Sequence, residues 1–171
     1  MPRNIELKVR CADLGAAEAT CERLGAQRQW TRRQTDLYFA VPDGRLKLRT
    51  ETPGEAMLVA YHRPDAPAPR DSHYEVTPVR DADAERASLE AEFGIRTQVD
   101  KTRTLYLLEH VRIHLDDVAG LGTFIEFEAV MDPGRDDAAT HALLARLRAE
   151  FAIADEDLLP GSYSDMLPPR H

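Results

Sequence analysis

The sequence predicts an α+β fold in which many antiparallel strands are accompanied by few helices. Most of the 171-residue chain alternates apolar and polar residues with period two. Three segments instead have helical spacing and capping residues, and Asp43-Gly44 is a hairpin turn signal between two strand segments. No internal repeat or low-complexity block interrupts the chain, so we expect one domain over residues 1–171.

The clearest strands carry one apolar face and one charged face. In the first, Ile5, Leu7 and Val9 alternate with Glu6 and Lys8. The same alternation predicts strands at 45–49, 111–116 and 125–129. Weaker alternation predicts further strands at 27–33, 35–41, 56–63, 72–79 and 98–108.

Three helices are predicted from their end signals and apolar spacing. Asp13 can cap a first helix that stops at Gly25, and a second helix covers about Asp83–Phe93. A third starts near Asp136 or Asp137. Its apolar stripe consists of Leu143, Leu144, Leu147 and Phe151.

Composition and charge exclude several classes of protein. The net charge of −8 argues against nonspecific binding to nucleic acid or to an anionic membrane. No signal peptide or membrane-length apolar run is present, and Cys11 and Cys21 form neither a metal motif nor a disulfide framework. We therefore expect a cytoplasmic protein without a membrane or nucleic-acid partner.

The polar faces of the predicted strands are unusually rich in charge. The charged residues that share a face within one strand are Glu6 with Lys8, Lys47 with Arg49, Lys101 with Arg103, Arg112 with Asp116, and Glu126 with Glu128. One interpretation is a solvent-washed sheet face whose charges balance. The other closes about eight strands into a barrel, with apolar faces outward under the helices and charged faces inward. Buried charges need partners, and a polyphosphate with divalent metals would supply both signs. The residues alone leave both interpretations open.

Sequence motifs restrict how phosphate could be bound. No Walker A sequence is present, and Gly120-Leu121-Gly122 is too short for a dinucleotide fingerprint. Phosphate binding would therefore depend on side chains of the strands. His114 lies on a charged face. We favour a role as a hydrogen-bonding structural residue over a role in the site. For Trp30, we favour a position in the core or on a rim over a role as a base-stacking platform.

A series of short segments, in order, resembles one known superfamily. They are Asn4-Ile5-Glu6-Leu7-Lys8, Leu46-Lys47-Leu48-Arg49, Tyr61-His62-Arg63-Pro64, Ser72-His73-Tyr74-Glu75, Val99-Asp100-Lys101-Thr102-Arg103, the stretch from Arg112 to Glu128, and the stretch from Gly161 to Leu167. Together they resemble the CYTH, or triphosphate tunnel metalloenzyme, superfamily, and within it the class IV adenylyl cyclase branch. One departure is Asn4, where the family's first strand has Glu.

The resemblance implies a closed eight-stranded antiparallel β-barrel with helices packed outside. Its lumen would bind a triphosphate together with Mg²⁺ or Mn²⁺. Carried over residue by residue, the phosphate-binding residues are Lys8, Lys47, Arg49, Arg63, Arg70, Lys101, Arg103 and Arg112. The catalytic residues among them are Lys8, Arg63, Lys101 and Arg103. The implied metal ligands are Glu6, Asp116, Glu126 and Glu128. Glu75 would join either the metal shell or an ion pair inside the barrel.

Three activities are compatible with this resemblance. The first is conversion of ATP to cyclic AMP and pyrophosphate. The second is hydrolysis of inorganic triphosphate, thiamine triphosphate or a nucleoside triphosphate. The third is binding of a polyphosphate or nucleotide without catalysis, against which the four carboxylates argue. Asn4 lacks the charge of a carboxylate, so a second metal is expected to bind weakly. The resemblance also suggests a homodimer.

Overall fold

The computed structural model describes residues 2–168. In this range the chain forms nine strands and four α-helices. The strands are β1 (Arg3–Arg10), β2 (Gln27–Phe39), β3 (Arg45–Thr52), β4 (Ala56–His62), β5 (Arg70–Val79), β6 (Ile95–Leu108), β7 (Val111–Val118), β8 (Gly122–Met131) and β9 (Leu158–Leu159). The helices are α1 (Leu14–Arg23), α2 (Ala82–Phe93), α3 (Asp137–Glu150) and α4 (Tyr163–Met166).

The long strands form one antiparallel sheet that closes on itself. Their order is β5-β4-β3-β2-β6-β7-β8-β1, and β1 also pairs with β5, where Asn4 lies opposite Ser72 and Glu6 lies opposite Arg70. The short β9 pairs with β1 at Lys8 and Val9. Closure gives both outer strands a hydrogen-bonded neighbour. The predicted closed eight-stranded antiparallel barrel is confirmed.

The apolar faces of the strands point outward beneath the helices. Ile5 and Phe127 belong to a core that also contains Leu144 and Leu147 of α3, which confirms the predicted apolar stripe of this helix. A second cluster joins outward residues of β2 and β3 to Leu89 of α2. Burial of each large aliphatic side chain contributes about 1.5–3 kcal/mol. Within residues 2–168, no helix has both the length and the apolar character needed to span a bilayer.

The charged faces of the strands point into the barrel. The side chains of Lys47, Lys101 and Glu128 are 14%, 2% and 15% exposed. A solvent-washed face would leave such long side chains largely accessible. The interpretation of the charges as a solvent-washed sheet face is therefore wrong.

Two predicted elements differ from the structure. The strands predicted at 27–33 and 35–41 are one continuous strand, β2, whose register against β6 shifts between Arg28 and Trp30 and again between Tyr38 and Phe39. Gln34, where the break was expected, is buried and opposite Lys101 of β6. Helix α2 begins at Ala82 and not at Asp83, because Asp81 caps it by accepting a hydrogen bond from the Ala84 amide.

Candidate functional site in the barrel lumen

The lumen of the barrel is a cavity of about 490 Å³, lined by inward side chains of the strands and by α4. At one end, α4 places Tyr163 against Phe124, with 4.9 Å between ring centroids. The Lys8 ammonium lies 3.8 Å from the centre of the Tyr163 ring. Two ion pairs of Asp165, to Arg45 and Arg96, hold α4 on the barrel. This end of the lumen is therefore covered by aromatic side chains.

A buried carboxylate, Asp36, organises the basic wall of the lumen. It accepts hydrogen bonds from Arg49 at 2.7 and 2.8 Å and from Lys101 at 2.8 Å, and Lys47 Nζ lies 3.4 Å away. Burial alone would raise the pKa of Asp36, but Arg49, Lys101 and Lys47 outweigh it and hold that pKa well below its usual value. We call these four residues the Asp36 cluster.

Burial lowers the pKa values of the lysines in this cluster, whereas it raises that of a carboxyl group. Desolvation, followed by the neighbouring Arg49, lowers the pKa of Lys47 to about 8. Burial also lowers the pKa of Lys101 well below its usual value, although Asp36 opposes this shift. The sequence analysis did not single out Asp36. Asp36 lies two residues from both Gln34 and Tyr38. A prediction of β2 as one continuous strand would therefore have placed all three on the inner face.

A second buried carboxylate, Asp116, accepts hydrogen bonds from two side chains. Arg103 donates to its two oxygens at 2.7 and 2.8 Å, and the Tyr163 hydroxyl donates to it at 2.7 Å. Burial opposes ionisation, yet Arg103 lowers the pKa of Asp116 to about 2. Asp116 was predicted as a metal ligand. In the structure Asp116 is the counter-ion of Arg103, and its role as a metal ligand stays a prediction.

Three glutamates form an acidic cluster on β1 and β8. The antiparallel register places Glu6 opposite Glu128, and it places Lys8 opposite Glu126. Lys8 Nζ lies 3.5 Å from a Glu126 oxygen, and Arg63 donates to Glu6 at 3.0 Å. Burial raises the pKa of Glu126, but Lys8 and Arg103 overcome this and hold it well below its usual value.

Glu128 is the member of the acidic cluster that resists ionisation. Burial, and then the charges of Glu6 and Glu126, raise its pKa to about 7. This shift persists although Arg112 lies 3.0 Å from Glu128, because the Arg112 side chain is half-exposed and therefore screened. Three glutamate side chains therefore share one buried zone, and their mutual repulsion is what a bound cation would relieve.

His114 faces the acidic cluster from β7. It lies opposite Glu126, is 6% exposed, and has no hydrogen-bond partner for either ring nitrogen within the described residues. One ligand atom each from His114, Glu126 and Glu128 lies within 4.8 Å of the others. Burial, then Arg103, lowers the pKa of His114 well below its usual value. The interpretation of His114 as a hydrogen-bonding structural residue is wrong, because its ring makes no hydrogen bond to a described residue.

Arg63, which follows β4, is an arginine with unused donors in the lumen. Its Nη1 donates to Glu6, whereas Nε and Nη2 are buried without an acceptor among the described residues. An unpaired buried donor costs about 1–3 kcal/mol. The geometry therefore fits an anion beside Arg63.

The structure does not bring two further predicted residues into the cavity wall. Arg70 was predicted to bind phosphate, but it donates to the backbone oxygens of Ala66, Leu159 and Gly161 at 2.6, 3.0 and 3.4 Å. It therefore holds the loop before β5 against the C-terminal segment. Glu75 is exposed on the outer face of β5, between the inward residues on either side, so neither an internal ion pair nor a metal role is available to it.

The other end of the lumen has an apolar rim. Trp30, Met57, Val76, Leu105 and Leu107 all contribute to the cavity wall there. Val76 and Leu107 are the large apolar side chains most exposed to solvent in the described chain. The guanidinium carbon of Arg32 lies 4.4 Å from the Trp30 ring centre, which fixes one face of the indole. Trp30 is a rim residue, in agreement with the interpretation from the sequence.

The fold and the site together define a class of protein: a closed β-barrel with a charged lumen that presents unsatisfied anion-binding and cation-binding groups side by side. The family model for the CYTH domain matches residues 2–163, and the chain belongs to the CYTH family. Members of this family are adenylyl cyclase-like or triphosphatase enzymes, and the family implies dependence on a divalent metal.

Solved structures with the same fold come from distant organisms. The PH1012 protein from Pyrococcus horikoshii OT3 is 22% identical, with a TM-score of 0.86 over 96% of this chain and 99% of that one. A provisionally assigned adenylate cyclase from Vibrio parahaemolyticus is 21% identical, with a TM-score of 0.81 over 95% and 96% of the two chains. HpAC1 from Hippeastrum is 18% identical, with a TM-score of 0.63 over 90% and 89%. A search of curated proteins found no match.

Proposed function

We propose that this protein is a metal-dependent enzyme that converts ATP to cyclic AMP and pyrophosphate inside its barrel. One observation carries the proposal. Unpaired buried donors of Arg63 lie beside three clustered glutamates, and the charges of Glu6 and Glu126, after burial, raise the pKa of Glu128 to about 7. An anion that arrives with a divalent cation supplies both missing partners, and a triphosphate–metal complex is such a ligand.

The basic residues divide into two groups in this proposal. Arg49, Lys101 and Arg103 are already paired with Asp36 and Asp116, so they form a fixed electrostatic frame. Lys8, Lys47 and Arg63 have longer contacts or unused donors, and they are the proposed direct phosphate ligands. Arg112 is half-exposed near the rim and would contact phosphate only if the chain of phosphates extends that far.

The metal ligands proposed from the predicted set are Glu6, Glu126 and Glu128. Their oxygen atoms and net negative charge fit Mg²⁺ or Mn²⁺. When bound, the divalent ion would neutralise phosphate oxygens and polarise the reacting phosphorus.

The apolar rim favours an organic triphosphate over inorganic triphosphate. Trp30 and its aliphatic neighbours offer one aromatic face and a hydrophobic wall just outside the charged zone. A nucleoside would bury its base against this rim. Inorganic triphosphate would leave the rim exposed to water, so the rim would contribute nothing to its binding affinity.

In the proposed reaction, the ribose 3′-hydroxyl oxygen bonds to the α-phosphorus while the bond to the bridging oxygen breaks and pyrophosphate leaves. The hydroxyl proton passes to solvent water in the lumen, while the Lys8 ammonium, 3.5 Å from a Glu126 oxygen, neutralises phosphate charge. Arg63, Lys101 and Arg103 stabilise the charge that develops on pyrophosphate. Lys8, Arg63, Lys101 and Arg103 are the four residues that the resemblance implies to be catalytic.

Hydrolysis is the second candidate, and Asn4 favours it. Asn4 is buried in the lumen wall where the family's first strand has Glu, so one carboxylate is missing from the metal zone. HpAC1, which shares the fold, is described as having a dominant triphosphatase activity. In this case water replaces the 3′-hydroxyl as nucleophile, and orthophosphate is released.

Product analysis tests the proposal. The purified protein would be incubated with Mn²⁺ or Mg²⁺ and, separately, ATP, thiamine triphosphate and inorganic triphosphate. Cyclic AMP with equimolar pyrophosphate from ATP is the expected result, and Glu126→Gln should abolish it. Orthophosphate without cyclic AMP would establish hydrolysis instead. Binding without turnover would support the non-catalytic alternative.

The setting of the activity is also a proposal. We infer a cytoplasmic homodimer that acts on a small molecule and has no nucleic-acid partner. The net charge of −8 supports the last point.

A further inference from the structure

We propose that His114 is a direct ligand of the divalent cation, together with Glu126 and Glu128, and that it makes the site selective for a first-row transition-metal ion such as Mn²⁺ over Mg²⁺. The inference rests on the proposed metal dependence and adds a nitrogen ligand to it. The sequence motifs that carry the family resemblance assign no such role to this histidine.

The position of His114 follows from the register of three strands. His114 on β7 lies opposite Glu126 on β8, and Glu126 in turn lies opposite Lys8 on β1. Glu128 is two residues further along β8, so its side chain is on the same inner face. One oxygen or nitrogen from each of His114, Glu126 and Glu128 falls within 4.8 Å of the others. A single ion can therefore contact all three side chains after small rotamer changes.

The imidazole is also unsatisfied. A neutral ring has one donor and one acceptor nitrogen, and within residues 2–168 neither Nδ1 nor Nε2 has a hydrogen-bond partner. Nε2 lies 3.9 Å from a Glu128 oxygen, which is too long for a hydrogen bond but short enough for one ion to contact both side chains after a small adjustment. A buried polar side chain in this state is stabilised if one of its nitrogens coordinates a cation.

The mixture of ligands determines the preferred ion. Mg²⁺ favours oxygen ligands in a strict octahedron, whereas imidazole nitrogen suits transition metals. Asn4 reinforces this bias, because the neutral amide removes one negatively charged oxygen from the zone next to the acidic cluster. Replacing a carboxylate by a nitrogen ligand shifts the site away from Mg²⁺.

The test uses metal alone on the full chain. Mn²⁺ and Mg²⁺ affinities would be measured by calorimetry for the parent, His114→Gln and His141→Gln, the last being a matched control on the exposed side of α3. We expect His114→Gln to weaken Mn²⁺ binding by at least about tenfold and Mg²⁺ binding by less than about threefold. His141→Gln should change neither affinity. Circular dichroism and thermal melting would show whether each variant is folded.

Pulsed electron paramagnetic resonance of Mn²⁺ on the parent supplies a readout that needs no variant. A hyperfine coupling to imidazole nitrogen is expected, and it should vanish in His114→Gln and persist in His141→Gln. Bound Mn²⁺ without nitrogen coupling in the parent, or unchanged coupling in His114→Gln, would overturn the proposal.

A third variant separates this inference from the proposed function. Glu126→Gln should lose both Mn²⁺ and Mg²⁺ binding. If Mn²⁺ binding depends on Glu126 but shows no nitrogen coupling, the metal-dependent function stands and the role of His114 fails. If the parent binds no Mn²⁺, with or without inorganic triphosphate, both proposals fail.

Discussion

Individual carboxylates decide which cations of the lumen are free to bind a ligand. Asp36 holds Arg49 and Lys101 by short hydrogen bonds, and Asp116 holds Arg103 in the same way. Removing one member of such a buried pair typically costs about 3–5 kcal/mol, because the other charge stays buried without a partner. These internal pairs allow the barrel to fold before any ligand binds.

Lys47 is expected to make triphosphate binding sensitive to pH. Its pKa is lowered to about 8 by burial, so its positive charge is lost as the pH rises through that value. The affinity for inorganic triphosphate should therefore fall between pH 7 and pH 9, by up to about tenfold for this one proton. Calorimetry at the two pH values measures the change.

Lys47→Arg is the matched variant, because a guanidinium stays charged throughout this range. Its affinity should change less between pH 7 and pH 9 than that of the parent. An identical pH dependence in parent and variant would assign the effect to Lys8 or Lys101, whose pKa values burial also lowers.

Glu128 is expected to destabilise the metal-free protein as the pH rises. Its folded pKa of about 7 lies above its usual value of 4.5, so the folded state retains a proton that the unfolded chain releases in this window. Stability should fall from about pH 4.5 to pH 7 by roughly 3 kcal/mol from this group. Relative to the parent, Glu128→Gln should become more stable over the same range, measured by urea unfolding in chelator. A stability difference that is independent of pH would contradict this.

At the residue scale, the sequence predicted the inner face but not the partners on it. Strand alternation places Lys47, Arg49, Lys101 and Arg103 on one face whatever their neighbours are. Which carboxylate each one meets depends on the register between strands that are distant in sequence, such as β2 and β6. This is why the pairing of Asp116 with Arg103 was not predicted.

At the scale of elements, local signals predicted the long helices well. Asp13 and Asp136 cap α1 and α3 as expected, because a cap is determined by residues two or three positions apart. The four-residue α4 is too short for any periodic signal, so its place across one end of the lumen was not predicted. The closing role of Tyr163 was missed for the same reason.

The hydroxyl of Tyr163 is expected to fasten α4 to the barrel. It donates to the buried Asp116 at 2.7 Å, and hydrogen bonds to charged groups contribute about 1.5–3 kcal/mol. Tyr163→Phe keeps the ring against Phe124 and should lose stability in this range by urea unfolding. Tyr106→Phe, outside the lumen, is the control. Equal losses in the two variants would show that the contact with Asp116 contributes nothing specific.

At the scale of the whole molecule, the lumen and the chain differ in charge. The chain carries a net charge of −8, yet basic side chains outnumber carboxylates on the described cavity wall. The alternation within the strands predicts that charged and apolar side chains lie on opposite faces of the sheet. Closure of the sheet then determines which face becomes the interior of the barrel. The acidic residues left over lie on the outside, where solvent screens them.

The separated charges predict that metal and triphosphate bind cooperatively. The acidic cluster repels an anion until a cation neutralises it, and the basic wall repels a cation until an anion is bound. By linkage, each ligand should strengthen the other by the same factor, which we expect to be at least about tenfold. Calorimetry with Mn²⁺ and a hydrolysis-resistant imido analogue of triphosphate measures both factors, after correction for the complex that forms free in solution.

Glu126→Gln distinguishes this coupling from two independent sites. The variant removes charge from the acidic cluster, so the analogue alone should bind it at least as well as it binds the parent, while added Mn²⁺ should no longer help. Factors near one in the parent would mean that the anion and the cation bind too far apart to interact. Unequal factors would mean that further ions take part, because reciprocity holds only when the same species are counted on both sides.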